Sequence, residues 1–207
     1  MLKDAFNKKI LLVIAGLATL LILLMVVYVF LIRNYPVALV NWHFVRSGDF
    51  QEDLAVAISY YGKADEAGNK ETGIRADITD SEEARTEIKR AVLDKLIEDN
   101  LIEQELKKRI GDNDLKALVD KKIESAISGA NIEKEVKFIY GLSMKDFRKK
   151  ILEPQAKSEI LEGRLLLENN LPAGGFEEWL LGQRTKAKVV VLLPGFSWNG
   201  KEVKAKK

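Results

Sequence analysis

A chain of 207 residues, with 47 % hydrophobic and 31 % charged side chains and a formal net charge of +2, has room for one domain of ordinary size plus an extension. Lys3, Lys8, Lys9 and Asp4 account for that charge, so the chain from Arg33 onward balances thirty basic against thirty acidic residues and offers no general ground for a nucleic-acid partner, which draws on concentrated positive charge. With no cysteine, disulfides, thiolate metal sites and a lipid-modified cysteine are excluded.

Residues 1–9 are polar and basic. From Ile10 to Ile32 the chain is apolar except for Gly16 and Thr19. At about 1.5 Å per residue such a helix exceeds the ~30 Å hydrocarbon core of a bilayer. The expectation is a single transmembrane anchor over 10–32. A cleavable signal peptide is the rival, but its apolar stretch usually runs about 7–15 residues and ends in a small-x-small site, which does not follow closely here. Tyr28 and Tyr35 fall near the far interface, where aromatic rings favour the headgroup level, and Pro36 stops the helix. Lys3, Lys8 and Lys9 outweigh Arg33 and Arg46. The positive-inside rule then places the N-terminus in the cytoplasm and the rest of the chain on the extracytoplasmic side of a cell membrane.

Residues 33–193 read as a helical domain. Val37–Asn41 is a short apolar strand, with Phe44-Val45 as its return. Ser47 is a suitable N-cap for a helix through Phe50, Leu54, Ala57, Ile58 and Tyr61. Residues 62–79, with Gly62, Gly68 and Gly73 among many charges, read as an exposed loop. Asp80 and Glu83 have capping-box spacing for a long helix whose stripe includes Ile88, Val92, Leu96, Leu101 and Ile102, and which ends at Gly111. Leu115, Val119, Ile123 and Ile127 predict a second helix. Asn131 is the expected cap of a third, which ends at Gly141. Ser143 caps a fourth that carries Phe147 and runs to Leu167 with a kink at Glu153-Pro154. After Pro172–Gly175, Phe176, Trp179 and Leu180 begin a last helix. Val189–Leu193 is a β-branched strand, and 194–207 a polar tail. A lone strand leaves its backbone groups unpaired, so Val37–Asn41 is expected to pair with Val189–Leu193. The fold class is mainly α with a small sheet joining the first and last strands.

Several of these segments together resemble the SurA/PrsA chaperone module. Val37-Ala38-Leu39-Val40-Asn41, Phe44-Val45 and Asp49-Phe50 are similar to its opening. Ala91–Glu105 resembles its long helix, and Gly141-Leu142-Ser143 with Asp146-Phe147-Arg148 and Ile151 resembles a late helix start. Phe176–Leu180 with Lys186–Val189 resembles its closing helix and strand. The likeness spans Val37 to Leu193 and implies a SurA N-terminal-like helical domain. Trp42 stands where that family usually has a turn glycine. Many relatives insert a parvulin isomerase domain where this chain has only Pro172–Gly175, and the parvulin site uses histidines, of which His43 is the sole example here. Prolyl isomerase activity is therefore not carried over.

No catalytic arrangement stands out. The sole histidine, His43, falls in an expected turn between the first strand and its return and reads as a surface or satisfied imidazole rather than the base of a Ser-His-Asp site; a zinc centre lacks ligands, and there is no phosphate-binding Gly-rich loop. Asp112-Asn113-Asp114 lacks the glycine and closing glutamate of a calcium loop and reads as a helix cap. Glu82-Glu83 and Glu177-Glu178 sit at helix starts, where the macrodipole favours them. The aromatic residues fill a core or line a cradle for unfolded chain; Trp42, Phe44, Phe138 and Tyr140 are the candidates for substrate binding. The expected function is that of a membrane-anchored, ATP-independent, non-enzymatic chaperone for unfolded exported polypeptides. It needs no cofactor, metal, nucleic acid or small-molecule substrate, and its other partner is the lipid bilayer. An envelope adaptor docking one folded partner is the alternative, and a prolyl isomerase-related protein the second.

Overall fold

A computed structural model describes residues 2–31, 35–72, 81–129 and 131–206. The order of elements is α1 (Leu2–Leu31), β1 (Pro36–Val40), β2 (His43–Arg46), α2 (Ser47–Thr72), α3 (Glu82–Ile110), α4 (Asp112–Ile127), α5 (Glu133–Tyr140), α6 (Met144–Phe147), a π-helical turn (Arg148–Leu152), α7 (Glu153–Leu167), α8 (Gly175–Lys186), β3 (Val189–Val191), β4 (Phe196–Trp198) and β5 (Val203–Ala205). The chain is mainly helical, with two small antiparallel sheets.

The pairing of the two distant strands is as the sequence predicts. β1 is the centre of a sheet ordered β2-β1-β3. Ala38, Leu39 and Val40 face Val191, Val190 and Val189, while Leu39 and Val40 also face Phe44 and His43 of the return strand. Only Asn41 and Trp42 separate the paired residues Val40 and His43, and both have positive φ, 48° and 70°. A two-residue turn with both centres left-handed is the type I′ hairpin, for which Asn-Gly is the favoured sequence. Trp42 therefore occupies the glycine position of the turn without reshaping it. His43 belongs to β2 rather than to the turn. The Asn41 side chain closes the sheet's end: its Oδ1 accepts from the Lys188 amide at 2.9 Å, and its Nδ2 donates to Gln104 of α3 at 3.2 Å.

Four expectations need correction. Residues 62–72 are not loop but the last part of α2. An added Cβ at Gly62 would meet open space; the glycine costs the helix about 1 kcal/mol, and the alanine, lysine and glutamate around it favour the helix. The expected loop residues 73–79, and the expected cap Asp80, lie outside the described residues. The cap of α3 is Ser81, whose hydroxyl accepts from the Ala84 amide at 3.0 Å. Asn131 does not cap α5; the capping position falls on Ile132, without a side-chain bond. The polar tail is largely a second sheet, in which Phe196, Ser197 and Trp198 face Ala205, Lys204 and Val203, and Phe196 and Val203 are buried. Asn199 makes the turn, its Oδ1 accepting from the amides of Lys201 and Glu202, both at 2.9 Å.

Near Pro154 the helix widens. The Glu153 amide donates to the Arg148 carbonyl, five residues back. Proline has no amide hydrogen and its ring crowds the preceding turn, and a π turn just before it relieves that crowding while the helix continues.

Two apolar clusters share α3. One joins β1, β2, α2 and α3 as far as Leu101 to Phe196 and Val203; the other joins Ile102 and Leu106 of α3 to α4, α7 and α8. α1 presents exposed apolar side chains from Ile14 to Tyr28. Among the described residues no helix is long and apolar enough to cross a membrane; the side chains described in α1 cover 14–28, a shorter stretch than the apolar run 10–32 of the sequence.

Candidate functional site

An apolar cleft of about 220 Å³ opens between the long helix and the start of the late one. α2 contributes Val56, Ala57, Tyr60 and Tyr61, α3 contributes Val92 and Lys95, α5 ends there on Tyr140, and the π turn supplies Lys150 and Ile151. The helical repeat explains the α2 wall, since residues 56, 57, 60 and 61 lie on adjacent turns of one face.

The aromatic side chains form a connected set. Tyr60 stacks on Tyr140 with centroids 5.6 Å apart and rings 16° from parallel, and meets Tyr61 edge-on at 5.6 Å. Tyr140 in turn leans on Phe147 at 5.3 Å. Gly141 makes the approach possible. Its φ of 68° ends α5 in the left-handed region, and an added Cβ would lie 3.2 Å from the Ser59 hydroxyl. Beyond the stack, Phe138 is 68 % exposed, with the Lys63 ammonium 5.7 Å from its ring centre.

The rim is polar. Lys150, half-buried at the cleft's edge, donates to Glu52 and Asp53 at 2.7 and 2.9 Å. The hydrogen bond from Lys150, and then its charge, hold the Glu52 carboxyl below its ordinary range. Burial works against the charged Lys150, but the bonds to Glu52 and Asp53 outweigh it and raise its pKa. Lys95 pairs with Asp99 one turn along α3; burial nonetheless lifts the Asp99 carboxyl above its usual value.

The four residues singled out from sequence divide into two pairs. Tyr140 lines the cleft, and Phe138, two residues before it on α5, does not. Trp42 and Phe44 do not line the cleft; they project from the β1–β2 hairpin, 79 % and 63 % exposed. Of the other aromatics, Phe147 is buried, and Phe176 and Trp179 stack on each other at 5.7 Å against the second cluster. Sequence reasoning left out Tyr60 and Lys150. Tyr60 follows Val56 by four residues and so shares its face, a signal that was available; the partners of Lys150 are 97 and 98 residues away and give none.

The remaining candidates settle into structural places. His43 is exposed, its Nδ1 3.1 Å from the Asn41 carbonyl oxygen. Asp112 and Asp114 lie in the first turn of α4 rather than capping it, and Asp112 pairs with Lys107 at 3.5 Å. Glu178 accepts from the Gly174 amide at 2.8 Å, at the start of α8. Among the described residues no group of three histidine, cysteine or acidic side chains is placed to hold a metal ion.

The cleft is smaller than the ~300–1,000 Å³ of small-molecule sites. Its size and apolar lining suit one or two aliphatic or aromatic side chains of a longer chain lying across it. No family model, no curated protein and no solved structure matches this chain.

Proposed function

We propose that the protein is a membrane-anchored, ATP-independent holdase that takes apolar side chains of unfolded, exported polypeptides into the cleft between α2, α3 and the π turn. The observation that carries the reading is the cleft itself: an open, aromatic-lined recess with tyrosine hydroxyls and a charged rim. Tyrosine offers a large contact area at low entropic cost together with a polar tip, which suits weak binding to many sequences. The resemblance of Val37–Leu193 to the SurA/PrsA module supports the same reading. The apolar run 10–32 supports a transmembrane anchor, and the lysines before it an extracytoplasmic domain. The reading assigns no catalytic step to the chain.

The full chain in lipid nanodiscs is mixed with a chemically unfolded client on dilution, and light scattering is followed. Delayed aggregation at near-stoichiometric ratios is expected. A Tyr60→Ser, Phe138→Ser double variant should lose several-fold in potency with its unfolding midpoint little changed, because both side chains are exposed. No delay at any ratio would overturn the holdase reading, and capture of one folded partner at a fixed stoichiometry would replace it with an adaptor.

A further inference from the structure

The solvent face of the three-stranded sheet is an apolar row. Leu39 on the central strand stands opposite Phe44 on one side and Val190 on the other, whereas Ala38, Val40 and Val45 are buried on the other face. Phe44 is 63 % and Val190 52 % exposed, and Leu192, just past β3, is 50 % exposed. At the hairpin tip Trp42 holds φ at 70°, a conformation that costs a non-glycine residue about 1–3 kcal/mol, so the turn keeps an exposed indole where glycine would be easier.

Charge on this face is one-sided. The segments 35–48 and 186–200, which contain all three strands, hold no acidic residue, and their basic residues Arg46, Lys186 and Lys188 are exposed. Such a segment is unexpected in a chain that is otherwise charge-balanced. The sheet is also tethered. Four residue steps separate Leu31, the end of α1, from Tyr35 beside β1, so the two lie within about 14 Å of each other.

We propose that this face docks on an anionic bilayer surface, with Trp42 and Phe44 at the interface and Arg46, Lys186 and Lys188 beside lipid phosphates. The inference rests on the anchored reading of α1 and places the sheet on the same membrane. Indole and phenyl rings favour the headgroup level, basic side chains are drawn to anionic lipid over a Debye length of about 8–10 Å, and the short tether limits Tyr35 to about 14 Å from Leu31, so that little reorientation brings the sheet into that range.

The cysteine-free chain makes the test direct. Single substitutions Val190→Cys, Phe44→Cys, Leu21→Cys and, as a control on α4, Lys121→Cys carry a nitroxide in the full chain, reconstituted in vesicles containing 30 % phosphatidylglycerol. Accessibility to oxygen and to a water-soluble nickel chelate is then measured. The expected result is oxygen contact raised and nickel contact lowered several-fold at 190 and 44 relative to 121. A triple Arg46→Glu, Lys186→Glu, Lys188→Glu variant should bring both back to the control. If Leu21 lies in lipid while 190 and 44 match 121, the docking is overturned and the anchor stands. If both reagents are excluded at 190, a second copy or another protein covers the face and the lipid assignment is overturned. A water-exposed Leu21 overturns the anchor, and the docking with it.

Discussion

Among the cations that bridge helices in this molecule, Arg184 and Lys150 do so differently. Arg184 of α8 reaches α3, where it pairs with Asp94 at 2.6 Å and Glu98 at 2.7 Å. Its Nε donates to the Lys201 carbonyl at 2.6 Å, and the Trp198 ring lies 5.5 Å from the guanidinium carbon. The Val203 amide donates to the other oxygen of Asp94 at 2.8 Å. Helix, long helix and C-terminal hairpin are thereby locked at one point. Lys150 likewise bridges two carboxylates, but with a single ammonium, and Glu52 is largely in water. A planar guanidinium fixes several partners at once, while an ammonium acts as a flexible point charge. The recess beside Arg184 is lined mainly by charged side chains, whereas the cleft beside Lys150 is lined mainly by apolar and aromatic ones.

The largest expected effect comes from removing the tighter lock. Arg184→Ala leaves Asp94 and Glu98 partly buried without their counter-ion, and breaking a buried pair this way typically costs about 3–5 kcal/mol. A urea titration should show the midpoint fall accordingly, and Arg184→Lys should recover only part of it. Lys150→Met keeps the aliphatic stem, and its more exposed partner retains water, so a loss nearer 1 kcal/mol is expected. Equal losses at the two positions would remove the distinction between a guanidinium fixed by several partners and a single bridging ammonium.

Acid titration sharpens the contrast without any mutation. Burial raises the Glu98 carboxyl, with Arg184 opposing it; the hydrogen bond and charge of Lys150 lower Glu52. A raised folded-state carboxyl takes up its proton before the unfolded chain does. As pH falls from neutral through the Glu98 folded value, a burden on the folded state is relieved. A lowered one works in reverse: the stability contributed by Glu52 is present above its unfolded value and is lost as pH falls through its folded value. Carboxyl carbon shifts in NMR should therefore move earlier at Glu98, above the usual carboxylate range, than at Glu52, below it, as pH falls. The smallest effect belongs to Trp198→Phe. The indole Nε1–H is buried without a hydrogen-bond partner among the described residues, an arrangement that costs about 1–3 kcal/mol. Phenylalanine removes that cost and keeps a ring for Arg184, so the midpoint should hold or rise slightly.

Much of this frame was legible in the sequence because it follows from local rules. Hydrophobic periodicity placed α3, α4 and α7, Gly141 and Ser143 marked a helix end and start, and the demand for backbone partners paired β1 with β3. The misread segments were those where local signals point the wrong way. Gly62 suggested a break, yet a single glycine is tolerated where neighbouring residues favour helix. Phe196 follows Pro194-Gly195 and Val203 is hidden among lysines, in strands of three residues each, although Asn199-Gly200 is a hairpin signal. Of the candidate binding residues, Tyr140 reached the cleft and Phe138 lies on the same short helix, while Trp42 and Phe44 stood apart on the hairpin. Chemical type alone does not distinguish those two destinations. Arg184 was invisible because its carboxylates lie 86 and 90 residues away.

The holdase reading is tested most directly by placing a photo-crosslinking amino acid at Ala57, on the cleft wall, in the full chain, with Lys121 as the control. Chemically unfolded clients of unrelated sequence, presented together with their folded forms, should crosslink from position 57 only when unfolded, and far less from 121. Equal labelling from both positions, or none from 57 at client concentrations where aggregation is delayed, would contradict the assignment of the cleft as the binding site.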